Sequence, residues 1–144
     1  MGEDKERLEA TRVQGTPLAP FFEFTGTKNA KEIAPYFEEA DVLLLPSHSE
    51  GLPIALLEGM AASLPVVACP VNGIPEAMNE PENGLFVPPR DPAALARAVI
   101  RLASDPALRR RMSAANRAKA LAEFDRAHFA AALAEIYEAA LAGR

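Results

Sequence analysis

Short apolar runs alternate along the chain with longer segments whose apolar residues recur at helical spacing. The runs predict four strands, at Phe21–Thr25, Val42–Leu45, Val66–Ala68 and Leu85–Val87. The segments between and after them predict helices at Ala30–Ala40, Pro53–Ala62, Ile74–Met78 and Pro92–Ala103. Two of the strand runs, LLL and VVA, show no polar alternation, as expected of strands that are buried on both faces. The pattern favours an α/β fold, a doubly wound parallel sheet covered by helices.

The pattern of residues in the last third of the chain predicts a helical region that begins near residue 92. Asp91-Pro92 and Asp105-Pro106 each place a capping carboxylate before a proline suited to the first helical position. Asp125 is the expected cap of the last helix. Inside this region Arg109–Arg111 is interpreted as a solvated helix face. We expect one domain over residues 1–144, with the helical tail at its end.

Composition narrows the class of protein. The 144 residues carry 15 basic and 20 acidic side chains, a net charge of −5. No basic stripe interleaved with aromatic residues exists to neutralise a phosphate backbone, so the sequence argues against a nucleic-acid or membrane-surface binder. The only cysteine, Cys69, lies in an apolar run, where core packing is the simplest role. The absence of a signal-like start or a long apolar stretch favours a cytoplasmic protein, membrane-peripheral at most in a longer form.

Besides Glu76 at its end, the segment from Ser47 to Glu76 carries two carboxylates, Glu50 and Glu58. Glu58 is the only charged residue between Leu52 and Pro75, and no lysine or arginine occurs from residue 51 to residue 89. A carboxylate without a local cation must be hydrogen-bonded or exposed, because an unpaired buried charge costs several kcal/mol. Two interpretations remain open, a ligand-binding carboxylate in a cleft and a side chain that faces solvent on an amphipathic helix.

Glu50 stands in the loop that follows the predicted strand Val42–Leu45, at the carboxyl-end crevice where open α/β sheets bind ligands. Gly51 allows close approach of a ligand, and Pro53 at the first helical position leaves neighbouring amides free. A helix start of this kind attracts phosphates. Amides with one carboxylate in front and another about one turn inside suit a ligand that is phosphorylated and rich in hydroxyls, and sugars and ribose fit that description.

Several motifs in order resemble one family. SEGLPIALLEGMA, followed by LPVVA, NGIPE and NGLFVPPRD, is similar to the C-terminal, donor-binding domain of the retaining GT-B glycosyltransferases of family 4, also called group 1. The resemblance implies a Rossmann-like parallel sheet flanked by helices, a nucleotide diphosphate sugar as donor, and transfer to an acceptor hydroxyl. No cofactor and no metal are implied beyond this donor.

The resemblance also implies site residues. Glu50 would be the catalytic-site carboxylate that holds donor sugar hydroxyls, and Glu58 would bind the ribose hydroxyls. Gly26, in Phe24-Thr25-Gly26, would lie beside the nucleotide base. The remaining implied donor-binding residues form the loop before the helix and its start: Ser47, Gly51, Leu52 and Pro53.

Two positions depart from the family pattern. Ser63 stands where the family usually has glycine after the helix, and a positive φ there would cost roughly 1 kcal/mol. Gly59 stands where alanine is common, at a further cost of up to ~1 kcal/mol in a helix interior.

The resemblance further implies a fragment. Gly2–Ala10 is similar to the segment after the second strand of this half, so the first strands, the basic residues for the diphosphate and the N-terminal acceptor domain would lie upstream. Phe21–Thr25 and Val42–Leu45 would then have open edges, which favours contact with the missing domain, another chain or a second copy.

Two functions other than sugar transfer remain open, and two others are unsupported by the sequence. A non-catalytic sugar-nucleotide-binding or interaction fragment and a sugar-nucleotide epimerase remain open. A serine hydrolase built on Ser47, His48 and Asp41 is unsupported, because no G-x-S-x-G elbow surrounds the serine. A metal site is unsupported as well, since the two histidines have no ligand spacing with carboxylates.

Overall fold

The computed structural model describes residues 13–142, and the segment resembling the upstream part of the family, Gly2–Ala10, lies outside them. By its internal contacts the chain divides into two compact units, Met1–Tyr36 and Phe37–Arg144. The expectation of one domain over the whole chain stays a prediction.

The first unit corrects the first predicted strand. Phe21–Thr25 forms no strand; a 3-10 helix spans Ala19–Phe21, and the residues after it pair with no neighbour among the described residues. The backbone of Phe22 is extended, and its ring stacks on that of Phe24 with centroids 6.3 Å apart. An apolar, extended segment becomes a strand only when another strand accepts its hydrogen bonds, and here the pattern alone misled.

Helix α1 spans Ala30–Glu39, within a residue of the prediction. A capping box begins it: the Asn29 Oδ1 accepts from the amide of Glu32 at 3.2 Å, and the Glu32 carboxylate accepts from the amide of Asn29 at 2.9 Å.

The second unit contains the predicted parallel sheet. Its strands are β1 (Leu43–Leu45), β2 (Val66–Ala68) and β3 (Gly84–Phe86), in the spatial order β1-β2-β3. β1 and β2 are parallel with Leu44 opposite Val67, and β2 and β3 are parallel with Val67 opposite Leu85. The helices α2 (Ile54–Ala61) and α3 (Ile74–Ala77) are the crossovers. The α/β fold expected from the pattern is confirmed in this unit, with strand bounds within a residue of those predicted.

Side chains that alternate along the strands enter two cores, one on each face of the sheet. Val66 and Ala68 pack with α2 and α3, whereas Val67 and Cys69 pack on the opposite face, which the helix after β3 covers. Burial raises the pKa of the Cys69 thiol, consistent with the packing role predicted for it. Both faces of β2 are therefore apolar, which explains the continuous VVA run. For β1 the prediction of burial on both faces is wrong, because Leu44 is 42% exposed.

The glycine at position 59 has a packing reason. A Cβ there would lie 2.5 Å from Cδ2 of Leu43, so a side chain at residue 59 would displace the end of the Leu43 side chain where α2 packs on β1. The departure from the family pattern is accommodated by this close helix–strand contact.

Three helices complete the unit: α4 (Pro92–Ser104), α5 (Pro106–Glu123) and α6 (Arg126–Ala142). The three predicted caps are confirmed. The carboxylates of Asp91, Asp105 and Asp125 accept backbone amide hydrogen bonds, each at 2.8 Å. Between residues 13 and 142, no helix combines the length and the apolar character that a bilayer crossing requires.

The arginine run on α5 is only partly a solvated face. Arg110 and Arg111 are exposed, as predicted. Arg109 is half-buried and donates to the carbonyls of Leu102 and Ala103 at the end of α4, the latter at 2.9 Å. It therefore donates to two carbonyls of the last turn of α4, where helix carbonyls lack regular intrahelical partners. The Leu102 carbonyl also accepts from the amide of Asp105, at 3.4 Å.

Helix α5 passes from one core to the other. Leu108 and Met112 belong to the core under α4, and Ala120 belongs to the core under α2. Between them Asn116 is fully buried, and its Nδ2 donates to the carbonyls of Leu64 at 2.6 Å and Asn83 at 2.8 Å. Because these residues precede β2 and β3, the amide joins α5 to the amino ends of two strands. Its Oδ1 is buried without a partner among the described residues.

Helix α2 ends in a Schellman motif. The amide of Ser63 donates to the carbonyl of Met60 at 3.0 Å, and that of Leu64 donates to the carbonyl of Gly59 at 2.9 Å. Ser63 has φ +67°, so the strain predicted for a non-glycine residue at this position is present.

Replacing Ser63 by glycine should therefore stabilise the chain by about 1 kcal/mol, because the left-handed conformation carries no Cβ penalty in glycine. Chemical denaturation of the Ser63→Gly variant measures the change. Ser63→Ala is the matched control and should give no such gain, since alanine keeps the Cβ. Equal stability of the two variants would contradict the strain argument.

Candidate functional site

The loop between β1 and α2 carries the first predicted site residues. Ser47 and Glu50 are half-buried there, and the Ser47 hydroxyl donates to the Glu50 Oε1 at 2.7 Å. This contact fixes one oxygen of the carboxylate and leaves the other available as an acceptor. Ser47 thus acts on Glu50 directly, a relation that their sequence spacing alone did not reveal.

The start of α2 differs slightly from the prediction. Pro53 is the N-cap residue, with φ −69° and ψ 126°, and the first helical residue is Ile54. No side chain caps this helix, and among the described residues nothing accepts from the amides of Gly51, Leu52 and Ile54. A Cβ at Gly51 would meet no atom within 4 Å, so the space beside this peptide is open. The helix start presents unpaired N–H groups to that space, as an anion site requires.

Glu58 lies on α2, about 6 Å along the helix axis from Ile54 at the usual rise per residue. At 100° per residue its side chain lies on the side opposite buried Leu56 and Met60, and it is half-buried. No ion pair or side-chain hydrogen bond joins it to the described part of the chain. The carboxylate is therefore not part of the core. This position agrees with both interpretations from the sequence, a ligand-binding carboxylate and a side chain that faces solvent.

A second loop, between β2 and α3, lies against the first. Asn72 has φ +46°, and its Nδ2 donates to the carbonyl of Glu50 and to the Ser49 hydroxyl, the latter at 3.4 Å. The amide of Gly73 donates to the carbonyl of Gly51 at 3.1 Å. A Cβ at Gly73 would lie 2.7 Å from that carbonyl oxygen, so only glycine permits this approach. The NGIPE motif contains both residues, but its sequence predicted no role for Asn72 or Gly73. The Asn-Gly pair, which favours positive φ, was the signal that could have indicated a turn here.

A cavity of about 160 Å³ opens at the carboxyl ends of all three strands. Its lining includes residues that follow each strand: His48, Cys69, Pro88 and Arg90. Glu50 and Glu58 do not line it. Binding clefts for small ligands usually measure several hundred Å³. The predicted residues of the β1–α2 loop and of α2, here called the ledge, therefore lie outside this cavity.

Gly26 is the predicted site residue that belongs to the first unit. It has φ +67°, a conformation that favours glycine. The other predicted residues, Ser47, Gly51, Leu52, Pro53 and the two glutamates, all lie in the second unit on the β1–α2 loop and α2.

The ledge combines two kinds of chemistry. Unpaired amides at a helix start hold anionic oxygens. The free oxygen of Glu50 and the carboxylate of Glu58 accept hydrogen bonds from hydroxyl groups. A ligand that satisfies both contains phosphate and several hydroxyls.

The sequence profile of one family matches the chain. Residues 1–105 match the family described as glycosyl transferases group 1. This range includes both units' predicted site residues and ends at the start of α5.

Individual proteins agree with this match. The amylovoran biosynthesis glycosyltransferase AmsK of Erwinia amylovora is 37% identical over 141 residues, which cover 94% of this chain and 35% of AmsK. Among solved structures, sucrose-phosphate synthase from Thermosynechococcus elongatus superposes with a TM-score of 0.89 at 31% identity, covering 99% of this chain and 35% of the synthase. HepE of Anabaena, solved in complex with UDP, gives a TM-score of 0.87 at 20% identity over 95% of this chain and 37% of HepE. The chain spans about a third of the length of these proteins.

Proposed function

The chain belongs to the group 1 glycosyl transferases, and from that premise we propose that it binds the nucleotide diphosphate sugar donor for a retaining transfer to an acceptor hydroxyl. One observation carries the proposal. The Glu50 carboxylate is held by Ser47 directly before the unpaired amides of Gly51 and Leu52 at the start of α2. An acceptor for sugar hydroxyls and donors for phosphate oxygens are thereby adjacent in one loop.

Each group has a distinct part in the proposed binding mode. The amides of Gly51 and Leu52 donate to the diphosphate or the sugar, and the helix dipole of α2 adds to the attraction for negative charge. Glu50 accepts from the sugar hydroxyls at the reacting end of the donor. Glu58, about one turn into α2, accepts from the ribose hydroxyls. UDP bound to HepE supports a uridine donor as the first to test.

Transfer of the sugar is proposed to need a second domain that holds the acceptor on the other side of a cleft. Holding an acceptor against the donor supplies up to ~7–11 kcal/mol of barrier reduction in such reactions. Among the described residues, no atom lies within 4 Å of a Cβ built at Gly51, so the space beside this peptide is open. We therefore expect the 144-residue chain alone to bind donor and to transfer no sugar, in agreement with a donor-binding role within a two-walled cleft.

A titration with UDP-glucose tests the proposed function. In ¹H–¹⁵N spectra of the labelled chain, we expect the amides of Gly51 and Leu52 to shift, and free glucose at the same concentration to leave them in place. Crystals soaked with UDP should show a phosphate at the start of α2. Shifts or density confined to Arg109–Arg111, or no response at either place, would refute the proposal.

Glu58 offers a sharper test of one contact. Glu58→Gln should weaken UDP-glucose binding about fivefold, because a charge-assisted hydrogen bond to ribose is lost. The free energy of unfolding should change by less than ~0.5 kcal/mol, since no described residue bonds this carboxylate. Calorimetric titration and chemical denaturation measure the two quantities. A stability loss above ~2 kcal/mol would instead make Glu58 a structural residue.

A further inference from the structure

The loop Asn72-Gly73 holds two consecutive carbonyls of the β1–α2 loop. The Asn72 Nδ2 donates to the carbonyl of Glu50, and the Gly73 amide donates to the carbonyl of Gly51 at 3.1 Å. Both bonded carbonyls therefore point toward the β2–α3 loop.

The directions of these two carbonyls determine where the N–H groups of Gly51 and Leu52 point. In a trans peptide the C=O of one residue and the N–H of the next lie in one plane and point in opposite directions. When the Glu50 carbonyl points toward Asn72, the Gly51 N–H points away from it. When the Gly51 carbonyl points toward Gly73, the Leu52 N–H points away as well. These are two of the unpaired amides at the helix start.

We propose that Asn72 and Gly73 are positioning residues that aim the Gly51 and Leu52 N–H groups at the anionic part of the ligand. This inference rests on the proposed function, because the ligand it serves is the nucleotide diphosphate sugar. Neither residue contacts the ligand in this arrangement. They fix the two peptide planes before binding, so the ligand does not have to order the loop itself.

Asn72 and Gly73, here called the clamp, have backbone conformations that support this role. Asn72 adopts φ +46°, which asparagine tolerates better than most residues because its short side chain bonds locally. Gly73 allows backbone contact that a Cβ would block, since that atom would lie 2.7 Å from the Gly51 oxygen and 3.2 Å from the Gly51 carbonyl carbon. The turn is thus suited to hold a neighbouring backbone rather than to pack a side chain.

The central test uses Asn72→Gly, which keeps the positive φ and removes the amide that holds Glu50. We expect UDP-glucose affinity to fall about tenfold, while the melting temperature stays close to that of the unmodified chain. Ser63→Gly is the matched control, because it also places glycine at a positive φ but lies at the other end of α2, and its affinity should be unchanged. Gly73→Ala, which displaces the Gly51 carbonyl, should lower affinity at least as much.

Spectra without ligand separate this inference from the proposed function. In Asn72→Gly the Gly51 amide should change its shift, and the Gly73 amide should exchange with solvent at least about threefold faster. Unchanged affinity in both loop variants would overturn the inference while the proposed function stands. If the unmodified chain itself binds no UDP-glucose, the proposed function fails. Faster exchange of the Gly73 amide in the variant would then show that the clamp is only a structural contact, and this result also overturns the inference.

Discussion

Replacing Glu50 by glutamine should weaken UDP-glucose binding by about 30-fold, within the 1.5–3 kcal/mol typical of hydrogen bonds to charged groups. The substitution keeps the size of the side chain and an oxygen for the Ser47 hydroxyl. It removes the negative charge and converts one acceptor into a donor, so the sugar hydroxyls lose the acceptor that the proposed function assigns to them. Calorimetric titration of the variant and the unmodified chain measures the effect.

Glu80→Gln is the control for the Glu50 test, because it removes the same charge from an exposed residue between α3 and β3, outside the proposed site. It should bind UDP-glucose as the unmodified chain does. Ser47→Ala should give an intermediate loss, since it frees the Glu50 carboxylate without removing it. An affinity within about threefold of the original in Glu50→Gln would remove Glu50 from the proposed binding mode.

Replacing Gly84 by alanine should lower the free energy of unfolding by about 3 kcal/mol, at the upper end of overpacking costs in well-packed interiors. A Cβ at this position would lie 2.1 Å from the carbonyl oxygen of Val66 and 3.2 Å from the Cε of Met78. Because the first of these atoms is backbone in the adjacent strand, β2 and β3 would have to separate. Thermal denaturation should show the melting temperature lowered by several degrees.

Gly51→Ala is the matched stability control for Gly84→Ala, since a Cβ at residue 51 would meet no atom within 4 Å. Its free energy of unfolding should stay within ~0.5 kcal/mol of the original. A loss in Gly84→Ala no larger than in this control would contradict the close approach of the two strands.

The sequence predicted those elements whose signals are local. Continuous apolar runs identified β1 and β2, and Asp-Pro pairs identified the starts of α4 and α5. The strand at Phe21–Thr25 was wrong because pairing depends on a neighbour, which the composition of a segment does not reveal. The 3-10 helix at Ala19–Phe21 and the extended residue after it have the same apolar character as a strand.

For the candidate site, the motifs identified the elements that carry its residues. Glu50 and Gly51 lie on the β1–α2 loop and Glu58 lies on α2, and their role as one site stays a prediction. The part played by Asn72 and Gly73 was missed because their partners are 22 residues away in sequence, and hydrogen bonds at that separation follow from the crossover of two parallel strands. Spacing rules describe contacts along one element, whereas the clamp joins two loops.

The passage of α5 across the amino ends of the strands links the folding of the two sides of the sheet. One helix contributes Met112 to one core and Ala120 to the other, so loss of α5 would remove packing from both sides of the sheet. The bonds of Asn116 span 52 and 33 residues, so they form only after α5 has reached the residues that precede β2 and β3. The loops joined by Asn72 and Gly73 lie at the carboxyl ends of the strands, opposite the ends that Asn116 holds. The strands are thus held by hydrogen bonds from neighbouring segments at both of their ends.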